Sequence, residues 1–240
     1  MRILSFDTST EVLYLALLER DQVIAEERLE REPAKAGDPP RQEAVARLLP
    51  SIDSIMRQAG WTKDSLDLLV VGEGPGSFTG IRTGVVTART LAQALGLPLV
   101  AVCSLQCYAS MAALPAIVVL SAGRGHYFVA GFESEVEVRN EPAYVGEVEM
   151  LGLISRYGNI CADDQSKERL VALGHTVNPL PNVKNIATRQ AQIAWNRVSL
   201  RIKSAVESLS DAFPYSVVEP LYLRSPSVTI KRPSEKTHGN

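Results

Sequence analysis

The chain has 240 residues, 45% of them hydrophobic and 22% charged, with a formal charge of −2 at pH 7. That length allows one large domain or two of ordinary size, and the near-balanced charge excludes the broad positive field of a protein that grips nucleic acid unaided, so any RNA role runs through a partner. No apolar stretch approaches the ~18 residues of a membrane span, and Met1-Arg2 leads into a strand-like segment with no secretory leader pattern, which points to the cytoplasm.

In chain order, Ile3 to Phe6, Val12 to Leu18 and Val23 to Leu29 read as three strands of an antiparallel meander, with DTST at 7–10 as a polar turn. Residues 31–41, with Pro33, Gly37, Pro39 and Pro40, read as a loop. Val45, Leu48, Leu49, Ile52, Ile55 and Met56 then recur at helical spacing, with Pro50 inside the helix. Leu66 to Val71 is a nearly all-apolar strand, of the kind buried on both faces. It delivers the chain to GEGPGSFTGIRTG at 72–84, where five glycines fall in thirteen residues. A helix follows from about Thr79 to Leu95, stopped by Gly96 and Pro98, and then a strand from Leu99 to Val102. Sliding the sequence by 114 positions lays Ile3-Leu4-Ser5-Phe6-Asp7 over Ile117-Val118-Val119-Leu120-Ser121, and Leu13 to Ala16 over Tyr127 to Ala130. The second half therefore reads as a repeat of the first. A strand from Gly158 to Ala162, a helix through Lys167 to Leu173, and a long helix from about Thr188 to Ala212 complete it, and the polar residues past Arg224 read as a disordered tail.

This order predicts a duplicated α/β fold of two facing lobes, 1–105 and 106–224, with mixed sheets flanked by helices, a last helix free to pack back on the first lobe, and a tail at 225–240. Ligands of such folds lie between the halves at strand ends. The alternative is a single doubly wound sheet, which suits the short antiparallel turns less well.

Asp7 ends the first strand among Thr8, Ser9 and Thr10. A carboxylate there either holds magnesium or closes a local Asx turn, and the residues leave both open. Two-lobed phosphotransferases place a second carboxylate on the equivalent strand of the second lobe, and the repeat puts Ser121 there, which argues against phosphoryl transfer. The glycine segment could cradle an anion, with Asp7, Thr8, Ser9, Gly74, Gly76 and Ser77 forming a degenerate nucleotide cleft, but it lacks the lysine of a P-loop and the dinucleotide spacing. Tight backbone packing is the plain alternative. A third reading is preferred: Gly80, Gly84, Thr87, Leu91 and Ala94 make a smooth helical stripe that admits another helix, while Gly72, Gly74 and Gly76 shape the turn before it. Ser77 and Thr79 read as helix caps. His126, His175 and His238 lack metal-ligand spacing. Arg124 reads as an exposed turn residue. The three cysteines, Cys103, Cys107 and Cys161, lack the spacing of a zinc or redox pair and read as buried free thiols.

ILSFDTST at the start, RLLPSID in the first long helix, GEGPGSFTGIRTGVVTA, PLVAVCSL and PLYLR at 220–224 together resemble the TsaB (YeaZ) family, over most of residues 1–105 and in patches afterwards. The resemblance implies an actin-like fold and a noncatalytic subunit of the bacterial machinery that attaches threonylcarbamoyl to N6 of the adenosine beside the anticodon in tRNAs reading ANN codons. It implies the paralogue TsaD as catalytic partner, the ATPase TsaE as a further member, and pairing through the first two helices, about 42–59 and 79–95. On those helices Val45, Leu48, Ile52, Gly80, Gly84, Thr87 and Leu91 are the expected interface, and the same stripe would pair two copies when the partner is absent. No cofactor is expected beyond weak or vestigial ATP and magnesium, and tRNA would be met through the complex. Ala44 stands where many relatives have histidine, and SAGR at 121–124 where many have DARR. A freestanding ATP-dependent phosphotransferase or hydrolase using Asp7 is the competing reading, and a peptidase a third.

Overall fold

The computed structural model describes residues 1–30, 43–135, 137–203 and 208–223. The loop expected at 31–41 and the tail expected at 225–240 lie outside them. The first sheet contains β1 (Arg2–Asp7), β2 (Leu13–Glu19), β3 (Gln22–Leu29), β4 (Leu68–Gly74) and β5 (Leu99–Cys103). The second contains β6 (Ala116–Gly123), β7 (His126–Phe132), β8 (Val138–Gly146), β9 (Ile160–Ala162) and β10 (Asn178–Pro179). Their orders are β3-β2-β1-β4-β5 and β10-β9-β6-β7-β8. Read from the far edge, the second repeats the first: an antiparallel meander followed by two parallel strands. This is the duplicated, actin-like α/β fold.

Helices follow from the same logic. The apolar stripes of α1 (Glu43–Gln58) and α2 (Phe78–Leu95) cover one face of the first sheet, where Leu48, Ile52, Ile55, Ile81, Val85 and Ala88 meet Leu4, Phe6, Leu15, Leu69 and Val71. Ser77 caps α2 by accepting from Gly80 N at 3.3 Å, and Gly96 closes it in the left-handed conformation at φ 66°. The opposite face takes α6 (Ile186–Lys203), whose Ile186, Ala187, Ala191, Ile193, Ala194 and Val198 lie against Ile3, Leu18, Leu68 and Val70. With helices on both faces, β4 has no polar side to show, hence its unbroken apolar run. The second sheet is covered outside by α4 (Glu147–Ile154) and α5 (Asp164–Ala172). Short α3 (Ser104–Ala109) fills the space between the sheets, with Leu105 and Ala109 against Val118, Phe128 and Phe132.

Several sequence expectations need correcting. The single helix expected from Thr188 to Ala212 is interrupted: it is described as far as Lys203, and Ser208, in an extended conformation, caps a separate α7 (Leu209–Ala212) by accepting from Asp211 N. Strand β8 and helices α3 and α4 have no counterpart in the sequence reading; β8 is partly exposed and lacks a clean alternation. Thr79 lies inside α2, not at its cap.

The repeat also needs a shift. Ungapped, Asp7 overlies Ser121, but Asp7 pairs with Tyr14, which packs on the α6 side of its sheet, whereas Ser121 pairs with Tyr127, which belongs to the outer core under α4 and α5. A one-residue slip reverses the face of every side chain in a strand. The positions of β6 that face inward as Asp7 does are Leu120 and Ala122. Neither is a carboxylate.

Candidate functional site

The turn after β1 and the glycine segment form one unit. Asp7 is 0% exposed. Its Oδ1 accepts from Ser9 N at 2.7 Å and Ser9 Oγ at 2.6 Å, an Asx turn. Its Oδ2 accepts from Gln190 Nε2 at 2.6 Å, from α6. Thr8 Oγ1 donates to Gly80 O at 2.7 Å, and Ser77 N donates to Ser9 O at 2.7 Å. The glycines are what let this turn descend so far. A Cβ on Gly72 would fall 1.9 Å from Asp7 Oδ2, on Gly76 2.2 Å from Ser9 O, on Gly80 2.0 Å from Thr8 O, and on Gly84 2.4 Å from Thr8 Oγ1. Close approach by the turn after β1, backbone at Gly76 and Gly80 and side chain at Gly72 and Gly84, therefore accounts for four of the five glycines.

Of the expected helix-docking stripe, Gly84 is buried against Thr8 Oγ1, and Gly80, half-buried, has the Thr8 carbonyl where its Cβ would stand. Leu48 and Ile52 are core residues, 0% and 7% exposed. Leu91 packs partly buried against the same core, Thr87 is half-buried, and the Val45 side chain lies outside the described residues. Among the described residues, the large hydrophobic side chains that α1 and α2 expose are Leu49, at 53%, and Val86, at 54%. Helical spacing alone identifies the apolar stripe but not these outliers beside it.

Of the residues expected to form an anion cleft, Asp7, Thr8, Ser9, Gly76 and Ser77 do come together, yet with their polar groups turned to one another. Gly74 is placed otherwise: at φ +100°, it lies against Ile81. A magnesium ion on Asp7 does not fit this set, because the residue is fully buried and both carboxylate oxygens already accept from the chain. Among the described residues no group of three or more His, Cys, Asp or Glu is placed to hold a metal, and no helix is long and apolar enough to cross a membrane. His126 Nδ1 donates to Arg124 O at 3.1 Å and its ring stacks on Tyr144, while His238 lies outside the described residues. All three cysteines are buried and free.

Two connections between the halves escaped the sequence reading. Asn185 starts α6, accepting from Ala187 N and Thr188 N, and its Nδ2 donates to Leu15 O and Glu27 O of the first sheet. Arg189 of α6 pairs with Glu135 in the β7–β8 turn at 2.9 Å and donates to Ser110, while Gln106 Nε2 donates to Glu135 O. Gln190 had a signal, as a lone amide in the apolar stripe of α6. Its partner 183 residues away had none.

Between the sheets, Glu73 stands at the end of β4. Burial raises its carboxyl above the ordinary 4.5, with Arg197 opposing and Glu141 adding to the rise. Burial in turn lowers Arg197, which donates to Ala101 O at 2.9 Å and Gln106 Oε1. Burial pushes the Cys103 thiol up to about 12, so it is no nucleophile at neutral pH.

The model of the family described as TsaD, tRNA N6-adenosine threonylcarbamoyltransferase, matches residues 40–232. The tRNA threonylcarbamoyladenosine biosynthesis protein TsaB of Bacillus subtilis is 37% identical over 110 residues, 46% of this chain and 44% of that protein. Its namesake in Escherichia coli is 37% identical over 105 residues, 44% of this chain and 41% of that one. The matches thus span less than half the length of these curated relatives. A solved Pseudomonas aeruginosa protein described as similar to peptidase YeaZ has a TM-score of 0.64 over 93% of this chain and 99% of its own, at 20% identity. YeaZ of the same organism gives 0.60 over 82% and 93%, at 21% identity. At these identities the two structures speak for the fold alone.

Proposed function

The chain belongs to the family of the tRNA N6-adenosine threonylcarbamoyltransferase, among its TsaB/YeaZ members, and from that we propose that it serves tRNA threonylcarbamoyladenosine biosynthesis as a nonenzymatic subunit. In this reading it is a cytoplasmic platform that pairs with a TsaD paralogue, is joined by the ATPase TsaE, meets tRNA through the complex, and uses no cofactor of its own. The observation that carries the reading is Asp7: the residue best placed to hold a metal is fully buried, with both oxygens accepting from Ser9 and Gln190. The inward positions of the second lobe, Leu120 and Ala122, add no second carboxylate.

The pairing face runs over α1 and α2 and is anchored by Leu49 and Val86, half-exposed aliphatic side chains beside a stripe, Leu48, Ile52, Ile81 and Val85, that is committed to the core. Two copies pair through the same face when the paralogue is absent. Copurification with the paralogue tests this. The wild-type chain is retained and a Leu49→Arg/Val86→Arg variant is lost, with thermal unfolding unchanged. Retention of the folded double variant would refute the assigned face.

A further inference from the structure

The chain's last described segment crosses from the first sheet's core to the second sheet's inward face. Val218 is anchored in the core under α1 and α2, 7% exposed, and Phe213 O accepts from Leu99 N at 3.1 Å. From there the chain crosses to the other half. Leu221 N donates to Glu73 O at 3.0 Å, the Tyr222 ring stacks on Phe78 with centroids 4.4 Å apart, and Leu221 and Leu223 pack against the cluster of Cys103, Leu105, Phe128 and Phe132. The crossing therefore touches the end of β4, the first residue of α2 and the inward face of the second sheet. These are the strand ends between halves where an α/β fold of this kind takes a ligand.

We propose that residues 220–223 are a displaceable cover over these strand ends, hinged at Val218. The anchor and the cover are held differently. Val218 is a core residue, whereas Leu221 and Leu223 are only partly buried and Tyr222 is 43% exposed. A segment held by few buried contacts and one backbone hydrogen bond opens locally, without global unfolding. Under it lie Glu73, desolvated, and Cys103, which pairs with Gly74 in the β4–β5 register. Because Phe78 begins α2, opening the cover removes the ring that stacks on the start of that helix. The cover is a property of the isolated chain and stands whether or not the proposed partner docks.

Cys103 supplies the reporter. In the full chain all three cysteines react slowly with a neutral disulfide reagent, and mass spectrometry assigns the adduct. In Leu221→Asp/Leu223→Asp, Cys103 reacts about 10-fold faster or more, while Cys107, which lies in the other core against α6, does not change. Equal acceleration at all three would mean that the variant has unfolded; the milder Tyr222→Ala then decides. In that variant the Leu221 amide exchanges hydrogen about 10-fold faster while amides of β4 keep their wild-type rates. The proposal is overturned if Cys103 stays protected in the folded double variant, or if the Leu221 amide exchanges only together with the β4 amides.

Discussion

Gln190 Nε2 donates to Asp7 Oδ2 at 2.6 Å across 183 residues of sequence, fixing α6 to the end of β1. Breaking this contact from the Gln190 side leaves a buried carboxylate oxygen without its donor. Gln190→Leu is expected to lower stability by about 2–4 kcal/mol in urea unfolding. Asp7→Asn is expected to cost less than Asp7→Ala. The new amide donates to Gln190 Oε1, which has no hydrogen-bond partner, once the Gln190 amide turns over. If Asp7→Asn were as damaging as Asp7→Ala, the hydrogen-bonding account of this pair would be wrong.

The glycines rank by what their missing Cβ would strike. At Gly80 it is the Thr8 carbonyl at 2.0 Å, part of the backbone; at Gly84 it is Thr8 Oγ1 at 2.4 Å, the end of a side chain. Gly80→Ala is thus expected to destabilise more than Gly84→Ala, with the pair spanning roughly 1–3 kcal/mol. Thr8→Ala should be less harmful in the Gly84→Ala background than in wild type, because it removes the clashing oxygen. A double-mutant cycle by thermal or urea unfolding reads this coupling; additive effects would contradict it.

Much of this was legible from the residues. The meander, the doubly buried β4, both ends of α2 and the duplication follow from period, glycine and proline placement. The repeat's register was not, because Ile3 to Asp7 and Ile117 to Ser121 are apolar enough to align on either face, and only pairing with Tyr14 and Tyr127 separates them. The glycine stripe was ambiguous for a related reason. Smoothness on a helix signals close approach but not by what, and here Thr8 arrives from 72 residues earlier. Leu48 and Leu49 are neighbours in sequence with opposite fates, core and solvent, which a loose apolar pattern does not rank.

That contrast gives a test of the two helix faces. Leu48→Ala opens a cavity in the first core and should cost about 2–5 kcal/mol. Leu49→Ala, at an exposed site, should change stability by less than about 0.5 kcal/mol and weaken paralogue copurification. The reverse pattern would mean that α1 is rotated relative to this structure.

Glu73 makes stability pH-dependent with a defined sign. A carboxyl whose native pKa lies above its unfolded value binds more protons in the native state between the two values, so its contribution to stability falls as pH rises through that interval. Burial is the leading cause of the rise. Wild-type stability relative to Glu73→Gln is therefore expected to increase as pH is lowered from neutrality and to level off below the ordinary 4.5. Paired urea titrations at several pH values check this; a difference that shrinks on acidification would contradict it.

In the proposed function Asp7 is structural and the chain acts through a catalytic paralogue. The most direct test is a reconstituted assay of threonylcarbamoyl transfer to tRNA with TsaD and TsaE, run with and without the chain, beside ATP turnover by the chain alone. The account predicts that modification requires the chain, that Asp7→Asn supports it whenever folded, and that the isolated chain turns over no ATP. ATP turnover by the isolated chain, abolished in a folded Asp7→Asn variant, would contradict it.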